Sequence, residues 1–213
     1  MPQKETLLID LQKENSQFAL LLAQVGASPT EIQIVCETAV YDNDKEGLIP
    51  QHSYIIRALG VLEHRVETLG TTVGNTAFLD THPLLMQYNE RPTALFFRGQ
   101  AEHIDSLILD LIQAYDLTMH GWRQFPDYLN IDQPLSNLFA SGGGMLGQLP
   151  QSLAHRLMNV LDKHHLETKL MQDKAYAEKH DNPALSVQRP QLLLMGTSYI
   201  ISYAFSVEFM GKN

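Results

Sequence analysis

Nine histidines in 213 residues raise the question of a metal centre first. His164 and His165 are adjacent, with Asp162 and Glu167 close by. Two ligands on one helix face need a spacing of three or four residues, because neighbours point about 100° apart. His164 falls in register with Leu157, Leu161 and Met171, which suits a hydrogen-bonded core histidine better than a ligand. His165 sits at the margin of that face. Both are weak metal candidates, and no His-x-x-x-His pair falls in any expected helix. A site gathered from His64, His103 and His155 would need the fold to bring distant residues together. The short ligand pairs of structural zinc are missing, so no metal or other cofactor is expected.

Nucleophiles and phosphate cradles give no stronger signal. Cys36 lies on the apolar face of an alternating run, whereas a reactive thiol needs an electropositive, accessible setting. Ser141 sits in Ala-Ser-Gly-Gly, not in a Gly-x-Ser-x-Gly elbow. Gly142, Gly144 and Gly147 match the dinucleotide spacing literally. The chemistry needs those glycines between a strand and a helix N-terminus. Pro134 to Ala140 makes a poor strand and Pro150 delays the helix, so a hinge or contact loop is the plainer reading. Glu63 with Glu67, and Glu102 with Asp105, stand at helical spacings. Such pairs are commonly solvated surface charges and only rarely general acids or bases. Asp42, Asp44 and Glu46 belong to a polar connection that lacks the glycine position and closing Glu of an EF-hand. Nothing here carries a catalytic signature, and the reading leans away from an enzyme.

The residues that do carry a functional expectation are Trp122, Arg123, Phe125 and Tyr128. Trp, Tyr and Arg are enriched at binding hot spots, and contacting residues often sit on irregular segments. The competing expectation is that Trp122 plugs the core under a long loop.

Elements must position these residues. From Tyr199 to Phe209 the odd positions are large and apolar, while the even ones are mostly small or polar, the period of a half-buried strand. Ile32 to Val40 alternates in the same way. Thr93 to Arg98 reads as a strand that turns at Gly99 into a helix over Ala101 to Asp116, and Thr76 to Leu79 could form a strand edge. Helices are expected over 5–25, with Leu8, Leu11, Phe18, Leu22 and Val25 on one face, and over 53–69, with Ile55, Leu59, Leu62, Val66 and Leu69. A final helix is expected from Pro150 to about Glu178, stopped by His180 to Pro183. Between these lies a long irregular loop at about 117–149. The pattern is α+β: a mixed or antiparallel sheet, four to five helices and a long C-terminal strand. A single domain over 1–213 is expected, because the terminal strand needs the strands near Ile32 to Val40 and Thr93 to Arg98 as partners.

Composition narrows the partners. The charge is -9, with 15 basic against 24 acidic residues, and the basic ones are scattered, so nucleic acid is a poor expectation. One cysteine and an N-terminus without signal-peptide features point to the cytoplasm. Pro190 to Val207 is uncharged over about the length of a spanning helix, but its period of two and its polar residues make a membrane anchor unlikely. The leading expectation is therefore a non-catalytic, protein-binding adaptor or chaperone-like subunit of a larger assembly, with a protein partner or its own copies. Small acidic adaptors of bacterial secretion systems share this general character, as an analogy of type. The alternative is an enzyme or small-molecule binder with a pocket lined by helix histidines.

Overall fold

The computed structural model describes residues 3–26, 28–67, 69–70, 72–129, 133–172 and 188–212. The chain begins with helix α1 (Gln3–Leu11), strands β1 (Ser16–Val25), β2 (Glu31–Asp42) and β3 (Gly47–Arg65), and the short strands β4 (Thr72–Val73) and β5 (Thr76–Leu79). A 3-10 turn (Pro83–Leu85) leads to α2 (Met86–Asn89), β6 (Pro92–Arg98) and α3 (Ile104–Met119). A 3-10 helix (Phe125–Tyr128), α4 (Leu135–Ala140), β7 (Gly143–Pro150), α5 (Gln151–Lys163) and β8 (Glu167–Gln172) follow. The strands β9 (Gln191–Met195) and β10 (Ser198–Lys212) close the chain. The class is α+β with antiparallel pairing. The residues gather into two compact units, Met1–Leu85 with Gln188–Asn213, and Met86–Val187. The boundaries fall at 85 and 187, outside the irregular segment expected at about 117–149.

The first unit is a seven-stranded sheet in the order β4-β1-β2-β3-β10-β9-β5, with α1 against it. Its core is the alternating inner face of Phe18, Leu20, Ile34, Cys36, Tyr54, Ile56 and Ala58, joined by Leu7 of α1 and by Leu193, Met195 and Ile200. The expected terminal strand is present. It pairs with β3 on one side and β9 on the other, not with β2 or β6. Its first residues are covered on both sides, since Ile200, Ile201 and Ser202 are all buried. Of the small face, Ala204 is half-buried and Ser206 exposed. The uncharged tail is thus strand, and no helix among the described residues is long and apolar enough to cross a membrane.

The expected helix over 5–25 is a helix only to Leu11, and the one expected over 53–69 is mostly strand; both strands carry a register slip. Over 5–25 the helix stops at Leu11, Asn15 takes a left-handed φ of 56°, and β1 begins. The register slips between Leu20 and Leu22. One extra residue in a strand reverses the alternation, so Phe18, Leu20 and Ala23 turn inward, while Leu22 and Val25 of the expected helical stripe are exposed. In β3 the slip opposite Ile201/Ser202 accompanies Gly60, whose φ is +67°. Tyr54, Ile56 and Ala58 face the core, while Leu59 and Leu62 of the expected helical stripe are exposed.

The second unit is a three-stranded sheet, β7-β6-β8, with helices packed on Leu95 and Phe97 of β6. From α3 come Leu107, Leu111, Tyr115 and Met119, from α4 Leu138 and Phe139, and from α5 Leu153, Ala154, Leu157 and Leu161. The strand at 93–98 is as expected, and the helix after Gly99 is present but spans Ile104–Met119 rather than Ala101 to Asp116. The last helix is shorter than expected: it ends at Lys163, His165 adopts a φ of 62°, and Glu167–Gln172 pairs with β6 as β8. Met171, placed on the helix's inner stripe by periodicity, is therefore a strand residue and is exposed. The expected end near Glu178 and the stop at His180 to Pro183 lie outside the described residues. The segment 117–149 is also more structured than its composition suggests, holding the end of α3, the 3-10 helix, α4 and most of β7.

Candidate functional site

The aromatic segment starts where α3 stops. Leu107, Leu111, Tyr115 and Met119 recur every four residues and are fully buried. The helix then ends on two left-handed residues, His120 at φ 50° and Gly121 at φ 77°. The His120 N–H donates to the Asp116 carbonyl at 2.8 Å, and the Trp122 N–H to that of Met119 at 2.9 Å. This closure aims Trp122 and Arg123 out of the helix end. Gln124 and Asp127 then open the 3-10 helix reciprocally, with the Gln124 N–H donating to Asp127 Oδ2 at 3.0 Å. Pro126 pre-sets its first turn.

The second unit's core holds this segment from below. The Tyr115 hydroxyl donates to the Gln124 carbonyl at 2.6 Å, and the Phe125 ring meets the Tyr115 ring edge-on at 5.1 Å. Burial, with the nearby Asp127 charge, pushes the Tyr115 phenol up, so it remains a donor. The Tyr128 hydroxyl reaches Gln87 Oε1 at 3.4 Å, and the Arg123 guanidinium lies 5.9 Å from the Tyr128 ring centre. Phe125, Tyr128 and Leu129 pack on the core, and Leu129 bridges to Gly147 of β7. Trp122, Arg123, Phe125 and Tyr128 are all half-buried. The fold therefore gathers all four on one short segment. Trp122 keeps part of its surface in water, so it is not a fully buried plug.

The glycines at 142–147 serve packing. Gly142 turns the chain at φ +79°. A Cβ on Gly144 would meet Leu138 at 3.1 Å, and one on Gly147 would collide with the Tyr128 carbonyl. These glycines lie at the start of and within a strand, not between a strand and a helix N-terminus. The α5 N-terminus is itself occupied by a carboxylate: Glu90 Oε2 accepts the Ser152 N–H at 2.8 Å.

A second group of polar residues, in the first unit, was not singled out from sequence. The Asp10 carboxylate of α1 is 2% exposed and accepts four donors. Tyr54 Oη and His52 Nδ1 each lie 2.6 Å from Oδ2, Thr38 Oγ1 lies 3.2 Å from it, and Lys13 Nζ is 2.7 Å from Oδ1. Burial alone would raise the carboxyl pKa. The bonds from Lys13, Tyr54 and His52, with the His52 charge, outweigh it and bring the pKa to about 2. The Tyr54 phenol is pushed up by burial and by Asp10. The His52 ring stands edge-on to Tyr54 and to Phe209, at 6.2 and 5.3 Å. The only sequence signal was Asp10 three residues after Leu7, inside an apolar helix face.

The other chemical candidates disperse. His164 Nε2 is 2.9 Å from Asp110 Oδ2, tying α5 to α3, and His165 is an exposed turn residue. His64 is a strand residue of the first unit, whereas His103 precedes α3 and His155 lies on α5. No group of three or more His, Cys, Asp or Glu lies together among the described residues. Cys36 is buried, and burial, aided by Glu37, pushes its thiol up to about 12. Glu63 is a strand residue that accepts the Tyr199 hydroxyl at 2.6 Å, and Asp42 accepts the N–H groups of Asp44 and Lys45 in the β2–β3 hairpin.

No protein-family model, no curated protein and no solved structure matches this chain. The reading of function rests on the residues themselves.

Proposed function

We propose that the protein is a binding subunit that engages another protein through Trp122, Arg123, Phe125 and Tyr128. The observation that carries this is the anchoring of the segment. Its rings are partly open to solvent, while its backbone is held by Tyr115, by the Gln124–Asp127 pair and by the bridge to Gly147. A surface ordered before contact loses less entropy on binding, and Trp, Tyr and Arg give large contact area for few rotatable bonds. An adaptor or chaperone-like role in a larger cytoplasmic assembly is the form of this reading that the acidic charge of -9 favours. The test is Trp122→Ala in a native capture experiment read by mass spectrometry. A partner held by the wild-type chain should be lost with the thermal midpoint unchanged, and full retention of that partner would overturn the reading.

A second reading, small-molecule binding, is favoured by one observation, the His52 imidazole fixed by a buried carboxylate 2.6 Å away. Such a contact fixes the orientation of the ring and leaves Nε2 as its second polar atom. Ligands found by thermal shift that fail to stabilise His52→Gln would support it; hits that ignore this change would remove it.

A further inference from the structure

The face of α3 turned away from the core carries two large apolar residues among polar ones. Leu109 is 57% and Leu117 67% exposed, and eight residues place them about 12 Å apart along the axis. Gln113 lies between them on the same side. With Asp116, Leu117 and His120 it lines an open cleft of about 420 Å³. The helix carries three carboxylates, Asp105, Asp110 and Asp116, and no Lys or Arg. Asp110 is engaged by His164, while Asp105 and Asp116 are exposed beside the two leucines. Asp116 also stands in the last turn, where the helix end is already negative and no Lys or Arg of the helix itself stands. An apolar pair in a negative field calls for a partner that brings both apolar anchors and cations.

We propose that this face docks an amphipathic helix of a partner protein, with apolar side chains seated on Leu109 and Leu117 and Lys or Arg facing Asp105 and Asp116. The proposal rests on the protein-binding reading above and names the partner's chemistry. The spacing of the leucines suits anchors two turns apart on an incoming helix. A second copy of this face is a poor occupant, because it would set Asp105 and Asp116 against like charges. Leu117 lies five residues before Trp122 in the chain.

The test uses the full chain and two labelled peptides of about 18 residues, one with Leu at helical spacing flanked by Lys, the other a scramble of the same composition. Fluorescence anisotropy should show the ordered peptide binding at least about tenfold tighter than the scramble. Leu109→Ser with Leu117→Ser should remove that preference, and Asp105→Asn with Asp116→Asn should flatten its salt dependence. Both pairs are exposed, so the Trp122 emission and thermal midpoint should stay at wild-type values. Equal binding of the two peptides, or an unchanged preference in the leucine variant, would overturn the proposal. The two readings fail separately. If Trp122→Ala abolishes capture of a natural partner while the leucine variant keeps both the partner and the peptide preference, the α3 site is wrong and the aromatic reading stands. The reverse pattern leaves the α3 site and removes the aromatic one.

Discussion

Replacing Asp10 with Asn should loosen the first unit and leave the second untouched. The carboxylate is 2% exposed and receives Lys13, His52, Tyr54 and Thr38. Whichever way an Asn amide is turned, its NH2 group faces at least one of these donors. A stranded buried donor costs about 1–3 kcal/mol. The charge can be weighed separately. The fall of the carboxyl pKa from 3.8 to about 2 corresponds to roughly 2.5 kcal/mol at about 1.4 kcal/mol per pH unit. The two figures describe overlapping interactions, so the expected loss near neutral pH is about 3 kcal/mol rather than their sum.

The sign of the acid dependence follows from the same value. A folded pKa below the ordinary 3.8 means that the unfolded chain binds the proton more readily. The stabilisation is fully present above about pH 4 and is lost as the pH falls through about 2. The variant has no carboxyl at this position and should lack that part of the slope. Each unit holds its own reporter. Cys36 is fully buried in the first unit and reacts with a thiol reagent only when that unit opens. Trp122 lies in the second unit and is the single Trp. Near neutral pH, Asp10→Asn should speed Cys36 labelling by about 100-fold, from about 3 kcal/mol at about 1.4 kcal/mol per decade. The urea transition followed by Trp122 fluorescence should not move. Urea midpoints by circular dichroism near pH 4 and pH 2 should converge for variant and wild type. Equal labelling rates, or an acid slope of undiminished size in the variant, would refute the argument.

Gly147→Ala should destabilise the second unit by about 1–3 kcal/mol, because the new methyl group must displace the Tyr128 carbonyl, which is backbone; a wild-type urea midpoint with unchanged Trp122 emission would contradict it. Glu90→Ala should remove the acceptor of the Ser152 N–H and hydroxyl at the start of α5 and cost about 1–2 kcal/mol. The loss should appear in the Trp122 urea transition and not in Cys36 labelling; no shift in either would show that the helix start does not depend on this carboxylate.

Sequence periodicity located those elements whose alternation or stripe runs unbroken. The inner faces at 32–40 and 93–98 keep a period of two, with Ile32, Ile34, Cys36 and Thr38, then Thr93, Leu95 and Phe97, buried, and α3 keeps its stripe of Leu107, Leu111, Tyr115 and Met119. In β1 and β3 the register slips at Leu20/Leu22 and opposite Ile201/Ser202, and Leu22, Val25, Leu59 and Leu62, which make the apparent helical stripes, are exposed. The end of α5 was hidden for another reason. His164 and His165 are unremarkable helix residues by propensity, and only the pairing of Glu167–Gln172 with β6 makes a strand there the better state. Tertiary pairing overrides a local preference of a few tenths of a kcal/mol per residue.

The two sites differ in legibility for a related reason. The aromatic segment is contiguous, so Trp122, Arg123, Phe125 and Tyr128 could be found together, whereas the Asp10 cluster draws on residues 28, 42 and 44 positions away, two of them on a strand that reads as a helix. What sequence could not supply for the aromatic segment is what holds it. Tyr115, Asp127 and neighbouring main-chain groups bond to its backbone. Tyr115 fills the fully buried position beneath it. A change at Trp122 should remove contact surface while Tyr115 and Asp127 still hold the backbone that presents it. A change at Gly147 does the opposite, moving the scaffold while every contacting side chain is kept. Binding that weakens in both variants, with the thermal midpoint falling only in the second, is the pattern that a pre-ordered contact segment requires.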